Sequence, residues 1–557
     1  MPNSEISISR EYIEAVFARA TRPMPPLYFE PNWGDQPSRF KTYQAVDRFP
    51  FSHVLPDRFA SLADVLPRLA APSGESRGIT FAELGTILQF AHGVLSRRVR
   101  VTWNRDDRDL AVYHWSSHAY ARGTASGGGM YPAEMYWACG PNAALLPGLY
   151  HYDSAHHAME RLCIGDMTGR IQKALLEHPA ALSTDQFLLI SLNFWKNSFK
   201  YNSFCYHVVT QDLGALLCSL RLLTLGSGSD LRPFLWYRDE DLNRLLGLDT
   251  IDESVFVVVP VPSRVSTTLA ASTVKRYSTA PHTLKNHSGE DVTLINKASF
   301  QRSKEVVRFP LNVSVHLSSL IDSEPRPDER EACTASCNES DTDGERVPLP
   351  PLALEALQSD LLEVFYQRKS SFGGFSSHVP LSRIELATML HVGALIRNYA
   401  TDLKPADGTT YFTRLAVFIN NVEGIKRGAY AYSQQRHCLH AIHVGDVSSF
   451  LQEQYFLQNY NLVETGALLA IVGRPEKMLE VYGNRGYRVL NAEVGMVAQG
   501  IYLAATALSF GCGAALGFNN AALNTMLGLD GTDEKTLLYL LTGHERRETA
   551  RFNCRLI

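Results

Sequence analysis

The sequence predicts an α+β fold: two tandem domains of one kind, each a mixed central sheet flanked by helices, closing on each other as an intrachain pseudo-dimer. The first observation behind this is a long-range repeat. Pro147-Gly148-Leu149-Tyr150-His151-Tyr152, followed by His157, returns as Arg427-Gly428-Ala429-Tyr430-Ala431-Tyr432, followed by His437, 280 residues on. Ile164-Gly165-Asp166 returns as Val444-Gly445-Asp446 at the same spacing. Leu242-Asn243-Arg244-Leu245-Leu246-Gly247-Leu248-Asp249 returns as Leu523-Asn524-Thr525-Met526-Leu527-Gly528-Leu529-Asp530, 281 residues on. A period that long marks a duplicated domain, since solenoid units run roughly 20–50 residues. The second observation is that strands and helices alternate irregularly within each copy, which favours a layered mixed sheet over a regular parallel wind. The third is a shift in composition between the copies. Asp322 to Arg346 holds nine acids and three arginines with almost no large apolar residue.

Residues 1–60 are rich in aromatics and prolines, among them Pro23, Pro25, Pro26, Pro31, Pro37 and Pro56, and read as an extension that wraps a body. The first copy is placed at 61–264. Phe81-Ala82-Glu83-Leu84 into Ile87-Leu88 and Phe90-Ala91 has helical periodicity. Residues 134–139 and 255–261 are apolar runs of buried-strand type, and 211–224 reads as a buried helix. Residues 265–351 form a linker, with candidate strands at 305–309 and 311–315. Within it, 322–346 cannot bury enough surface to offset its ordering entropy and is expected as a flexible, disordered tether. The second copy, 352–557, repeats the pattern with helices at 383–394 and 491–508 and strands at 415–419 and 537–541.

Bulk properties exclude some classes. The chain has 557 residues, 45% hydrophobic and 20% charged, with a net charge of −4. That balance supplies no basic stripe to neutralise phosphates, so nucleic acid is not expected as a partner. No charge-free apolar run reaches roughly 18 residues, so no membrane-spanning helix is expected. The start of the chain has no basic-then-apolar signal, which predicts a cytoplasmic location. Nine scattered cysteines with no Cys-x-x-Cys motif are read as reduced thiols. Cys333 and Cys337 lack a second ligand pair, so no metal is expected.

Four clusters could carry chemistry. Ser126-Gly127-Gly128-Gly129, followed by Tyr131-Pro132 and a strand, lets backbone approach a flat ligand closely, although a flexible loop explains the glycines as well. Arg368-Lys369-Ser370-Ser371 offers two cations and two hydroxyls to a phosphate, or is a solvated helix end. Lys200-Tyr201 lies among aromatics. A lysine partly stripped of water has its pKa lowered and becomes a usable base, whereas the plainer reading is a surface lysine before a helix. Gly511-Cys512-Gly513 fits a tight helix-to-strand turn touching a ligand, or a plain helix C-cap.

Together these residues resemble the SagB-type azoline dehydrogenases of the FMN-dependent nitroreductase superfamily, microcin-type members included. Arg122…Ser126-Gly127-Gly128-Gly129-Met130-Tyr131-Pro132-Ala133-Glu134 is similar to that family's Pro-Ser-Ala-Gly-Ala-Leu-Tyr-Pro-Leu-Glu signature. Gly148-Leu149-Tyr150-His151-Tyr152-Asp153…His157 is similar to its Gly-Leu-Tyr-His-Tyr-Asp…His element. Arg368-Lys369-Ser370 resembles the superfamily's phosphate clamp, and Tyr482-Gly483-Asn484-Arg485-Gly486-Tyr487-Arg488…Glu493-Val494-Gly495 its helix entry. Lys200-Tyr201 falls where microcin-type members carry a Lys-Tyr pair. The resemblance covers about 60–265 and 355–545.

The departures divide between the copies. The first lacks the clamp, reading Leu66-Pro67-Arg68-Leu69-Ala70-Ala71-Pro72. In the second, the glycine loop has become Pro405-Ala406-Asp407-Gly408-Thr409-Thr410-Tyr411, and Lys-Tyr has become Val481-Tyr482. Phe372 stands where many members place a second arginine. The resemblance therefore implies one composite FMN site. The second copy supplies Arg368, Ser370 and Gly511-Cys512-Gly513. The first supplies Ser126, Gly127, Gly128 and the catalytic pair Lys200 and Tyr201, and the mirror-image site is dead. It also implies oxidation of a thiazoline or oxazoline ring to the azole in a peptide or carrier-bound substrate. Lys200 or Tyr201 takes the ring's acidic proton, FMN takes the hydride, and oxygen reoxidises the flavin. A cyclodehydratase or synthetase complex is the implied partner, and the chain itself is expected as a monomer. The rival readings are a nicotinamide-driven nitro or quinone reductase and a flavin-free scaffold for a peptide-modifying complex.

Overall fold

The computed structural model describes residues 5–71, 77–100, 118–262, 299–337, 339, 344–371, 374–405, 410–457, 459–546 and 551–557. The first half builds β1 (Asp47–Pro50), β2 (Ser96–Arg100), β3 (His118–Ala121), β4 (Ala133–Cys139), β5 (Gly148–Asp153), β6 (Ala158–Ile164), β7 (Gln186–Asn193) and β8 (Glu253–Pro260). The second builds β9 (Arg346–Pro348), β10 (Thr413–Ile419), β11 (Gly428–Ser433), β12 (Cys438–Val444), β13 (Ala467–Gly473), β14 (Gly511–Ala515), β15 (Lys535–Gly543) and β16 (Arg551–Arg555). The two large sheets run β1-β6-β5-β4-β7-β8 and β14-β15-β13-β10-β11-β12-β9, one order with β14 added at an edge.

Register repeats as well as order. Tyr136 faces His151 and Ala416 faces Ala431, each partner 280 residues on. Phe187 faces Pro260 and Leu468 faces Leu541, each 281 on. Even the strand irregularities coincide, at Leu149/Tyr150 and Ala429/Tyr430 and again at Ile190/Ser191 and Ile471/Val472. The motifs that reveal the repeat in sequence are its turns. His157 and His437 both have left-handed backbone, with φ of 51° and 45°. Asp166 and Asp446 each accept from the backbone N–H two residues on, at 2.9 Å. Asn243 and Asn524 each accept from the backbone N–H twelve residues on, at 2.8 and 3.0 Å.

All described strand pairs in these sheets are antiparallel. The α+β architecture is the one expected, but its sheets are not mixed. An irregular alternation of elements carries no information on strand direction, and here the returning strands β7 and β8 run against their neighbours.

The halves meet along two long helices, Cys205–Gly226 and Arg485–Ala507, which are buried almost throughout. Residues 280 apart touch each other across this contact: His207 Nδ1 lies 2.6 Å from Tyr487 Oη, and Gln211 donates to Asn491 at 3.1 Å. A Cβ on Gly214 would lie 1.9 Å from the Ala492 carbonyl, and one on Gly495 would lie 1.9 Å from the Gln211 carbonyl. This reciprocity is that of a two-fold interface folded into one chain. The first of these helices, counted from Phe194 to Gly226, is apolar enough to cross a membrane, but 94% of its apolar window is buried inside the protein. A third sheet, β16-β2-β3, joins the last strand of the second half to a hairpin of the first. The helix Ser7–Ala18 spans both halves: Tyr12 donates to the Ser203 carbonyl, and Arg10 pairs with Glu476.

Two expectations need correction. Residues 311–315 are not a strand but part of the helix Pro310–Ser318, and 305–309 is not a strand either. Pro310 sits at the first helical turn, where its fixed φ favours a helix, and Asn312, Val315 and His316 make the buried face. The acidic segment 322–346 is not a loose tether in its described residues. Asp328 and Glu331 form a reciprocal cap on the helix Glu329–Thr334. Cys337 is buried, its N–H bound to the Tyr411 carbonyl at 2.6 Å, and Arg346–Pro348 pairs with β12. A few small residues, Ala332, Ala335 and Cys337, do the burying that bulk composition hides. Within the expected linker, 263–298 lie outside the described residues, as do Phe372 and 406–409 of the altered second-copy loop.

Candidate active site

One cavity of about 1790 Å3 opens between the halves. A second lies elsewhere, beside Phe194 and Phe309, and measures about 20 Å3. Ser126, Gly127, Gly128, Lys200 and Tyr201 of the first half and Arg368 and Ser370 of the second all line the large cavity. The space exceeds the usual 300–1,000 Å3 of a small-ligand site.

Each side chain is placed by identifiable local structure. Lys200 and Tyr201 end the helix Phe194–Tyr201, which Asn193 caps. A Cβ on Gly128, whose φ is 64°, would lie 2.8 Å from Tyr201 Oη and 2.9 Å from Lys200 Nζ. Glycine suits that φ and leaves both tips in place, whereas a side chain would push them aside. Lys200 Nζ has no hydrogen-bond or ion-pair partner among the described residues. Its side chain opens to the cavity, yet the protein packed around it strips enough water to lower its pKa. Burial pushes Tyr201 the other way, so that the phenol stays protonated. Burial thus moves the lysine toward accepting a proton and keeps the tyrosine a donor.

Arg368 follows the helix Leu361–Gln367 and reaches across the interface, donating from Nε to the Gly123 carbonyl at 2.7 Å and from Nη2 to the Arg122 carbonyl at 3.1 Å. It is only 5% exposed, and its Nη1 has no partner among the described residues. Lys369, by contrast, is paired with Glu545 at 2.7 Å. Tyr502 Oη accepts from Ala514 N–H at 2.6 Å and lies 3.1 Å from Ser370 Oγ, a hydrogen bond in which either hydroxyl can be the donor. A buried guanidinium with one open nitrogen, a neighbouring serine hydroxyl and a glycine loop fit a phosphate-bearing planar cofactor such as FMN.

Gly511, Cys512 and Gly513 are not in the lining. They begin β14, an extended strand rather than a turn. Ser371 N–H donates to the Cys512 carbonyl at 2.8 Å, and a Cβ on Gly511 would lie 2.6 Å from Ser371 Oγ. These residues back the 368–371 segment from behind, and their neighbours Ala514 and Ala515 face the cavity.

The sequence analysis missed several lining groups. Asp212 accepts from Ser126 Oγ at 2.6 Å and from Gly127 N–H at 2.8 Å. Burial pushes its carboxyl up to about 7. Gln499 reaches from the second half to Ala125 N–H and the Gly123 carbonyl. The extension contributes Arg19, Met24 and Trp33 to the cavity wall. Position 212 was within reach of the repeat, because Glu493 lies 281 residues on in a recognised motif.

At the mirror-image position the counterparts are paired off. Glu493 accepts from Phe412 and Thr413 N–H and holds Lys404 at 2.5 Å. Arg221, the counterpart of Tyr502, is paired with Asp230 at 2.9 Å. Tyr482, the counterpart of Tyr201, donates to the Leu403 carbonyl.

The model of the Nitroreductase family matches residues 380–544. The protein named Putative nitroreductase MJ1384, from Methanocaldococcus jannaschii, is 35% identical over 107 residues, 19% of this chain and 54% of that protein. The chain thus spans about half the length of the curated relative it matches. A crystal structure from Anabaena variabilis, of a protein described in the same terms, superposes on 97% of this chain and 100% of its own, with a TM-score of 0.69 and 22% identity. The Escherichia coli microcin synthetase complex with truncated pro-MccB17 bound superposes on 32% of this chain and 70% of its own, with a TM-score of 0.28 and 18% identity, a purely local likeness. The match to the family model thus lies in the second half, and the chain as a whole shares the fold of the Anabaena variabilis protein.

Proposed function

We propose that this chain is a duplicated, FMN-dependent oxidoreductase with one composite site, and that it dehydrogenates an azoline ring in a modified peptide or carrier-bound substrate. The observation that carries the reading is the convergence of Ser126, Gly127, Gly128, Lys200 and Tyr201 from one half with Arg368 and Ser370 from the other on a single cavity. The azoline assignment is supported by the resemblance of the 122–134 and 148–157 segments to that dehydrogenase family, and by a base of suitable kind at the glycine loop.

Arg368 and Ser370 would hold the phosphate, and the Ser126–Gly128 backbone would lie against the ring. When bound there, the flavin would supply a two-electron acceptor for the substrate's hydride. Lys200 Nζ, in its neutral form, would take the proton from the ring carbon next to the carbonyl. Tyr201, held protonated, donates a hydrogen bond to the substrate.

Lys200→Ala is expected to keep the yellow colour of the protein and lose at least 100-fold in turnover, the usual scale of general base catalysis. Unimpaired turnover removes the proposed base. Arg368→Ala is expected to lose flavin on gel filtration, and a fully loaded variant contradicts the clamp.

A further inference from the structure

Among the described residues, Asp212 is the only carboxylate in the cavity wall. Its two oxygens take Ser126 Oγ and Gly127 N–H, and Ser126 Oγ in turn accepts from Tyr131 N–H at 2.9 Å. These three bonds close the turn 126–131. Gly128, Gly129 and Tyr131 within it have φ of 64°, 67° and 51°. Three left-handed residues within four positions, one of them a tyrosine and with Met130 at φ of −87° between, are not favoured by local backbone preference and need to be held from outside. The turn's shape also fixes the gap between Gly128 and Lys200 Nζ.

The other half shows what a passive version looks like. Glu493, at the equivalent position, caps its own loop but is neutralised by Lys404. The residue equivalent to Lys404 is Thr124, which bonds to the Ala91 carbonyl and Ser219 Oγ and gives Asp212 nothing. No cation among the described residues pairs with Asp212. The titratable groups coupled to it are Tyr201 and Cys205, both kept protonated by burial. Lys200, Arg368 and Lys369 share the cavity wall without pairing to it.

We propose that Asp212 is a positioning residue that clamps the Ser126–Tyr131 turn in its ligand-ready shape, and that its ionisation tightens the clamp while protonation loosens it. This rests on the reading of the cavity as a flavin site. An ionised carboxylate is the stronger acceptor for both donors, with charged hydrogen bonds worth about twice neutral ones. The carboxyl titrates near neutral pH, so the clamp tightens between about pH 6 and 8.

The test is FMN affinity of the full chain, read by flavin fluorescence quenching from pH 5 to 9, in wild type and Asp212→Asn. FMN's own phosphate titration is common to both proteins and cancels in the comparison. The expectation is roughly tenfold weaker binding in the variant at pH 8, one lost charge-assisted bond, with the difference shrinking toward pH 6. Equal affinity and equal pH profiles overturn the proposal. A second arm measures hydrogen exchange of residues 126–131 in the flavin-free chain at pH 8. Faster exchange in Asp212→Asn supports the clamp, and equal exchange overturns it. If the wild-type chain takes no FMN, the flavin reading fails while this arm still decides the clamp. Ser126→Ala, which removes the same oxygen bridge, serves if Asp212→Asn does not fold.

Discussion

Lys200 and Asp212 face the same cavity but are tuned by burial in opposite directions, because desolvation always disfavours the charged form. For Lys200 this lowers the pKa from 10.5. Turnover should therefore rise with pH along a limb centred below 10.5, and a pH–rate profile checks it; a limb that survives in Lys200→Ala belongs to another group. For Asp212 the folded state holds a proton that the unfolded state, with a pKa near 3.8, releases. More protons bound in the native state means stability falls as pH rises from about 4 to about 7. Denaturant unfolding at several pH values should show that slope flattened in Asp212→Asn. Lys200 was legible from its neighbours in sequence. Asp212 was not, because an aspartate inside a helix gives no local signal; only its counterpart Glu493 marks it.

At the scale of elements, the strongest sequence signals turned out to be structural ones. The Gly-x-Tyr-x-Tyr…His, Gly-Asp and Leu-Asn…Leu-Gly-Leu-Asp repeats form hairpin turns, caps and a helix end in each half. That explains why they persist in both copies while site residues differ. Thr80 with Glu83 and Ser382 with Glu385 form reciprocal N-caps, so those helices start where the sequence says. The segment 305–315 was misread because β-branched residues outweighed a proline at a helix start. The glycines at 511 and 513 were read as ligand contacts, whereas they make room for Ser371. The helix contact gives a sharp prediction. Gly214→Ala places a Cβ 1.9 Å from the Ala492 carbonyl, and the backbone must move. A loss of about 3 kcal/mol is expected, read by urea unfolding; a loss below about 1 kcal/mol contradicts the close approach. Asp239, held between Arg485 and Arg488 with no exposure, is a second such point. Asp239→Asn leaves buried guanidinium charge uncompensated and should cost about 3–5 kcal/mol by the same assay.

For the whole molecule, duplication separates two roles that an ordinary symmetric dimer must keep together. Each half keeps the sheet, the turns and the long interface helix. The glycine loop and Lys200 lie in one half, and Arg368 in the other. The counterpart position is filled by ion pairs, Lys404 with Glu493 and Arg221 with Asp230. The repeat and its divergence could be read from the chain alone, but that the divergent pieces meet in one cavity needed coordinates, because residues 126 and 368 are brought together only by the fold. The central claim is one composite site, and the most direct measurement is the flavin-to-chain ratio of the purified protein saturated with FMN. The account predicts one flavin per chain; a ratio of two, or none, contradicts it.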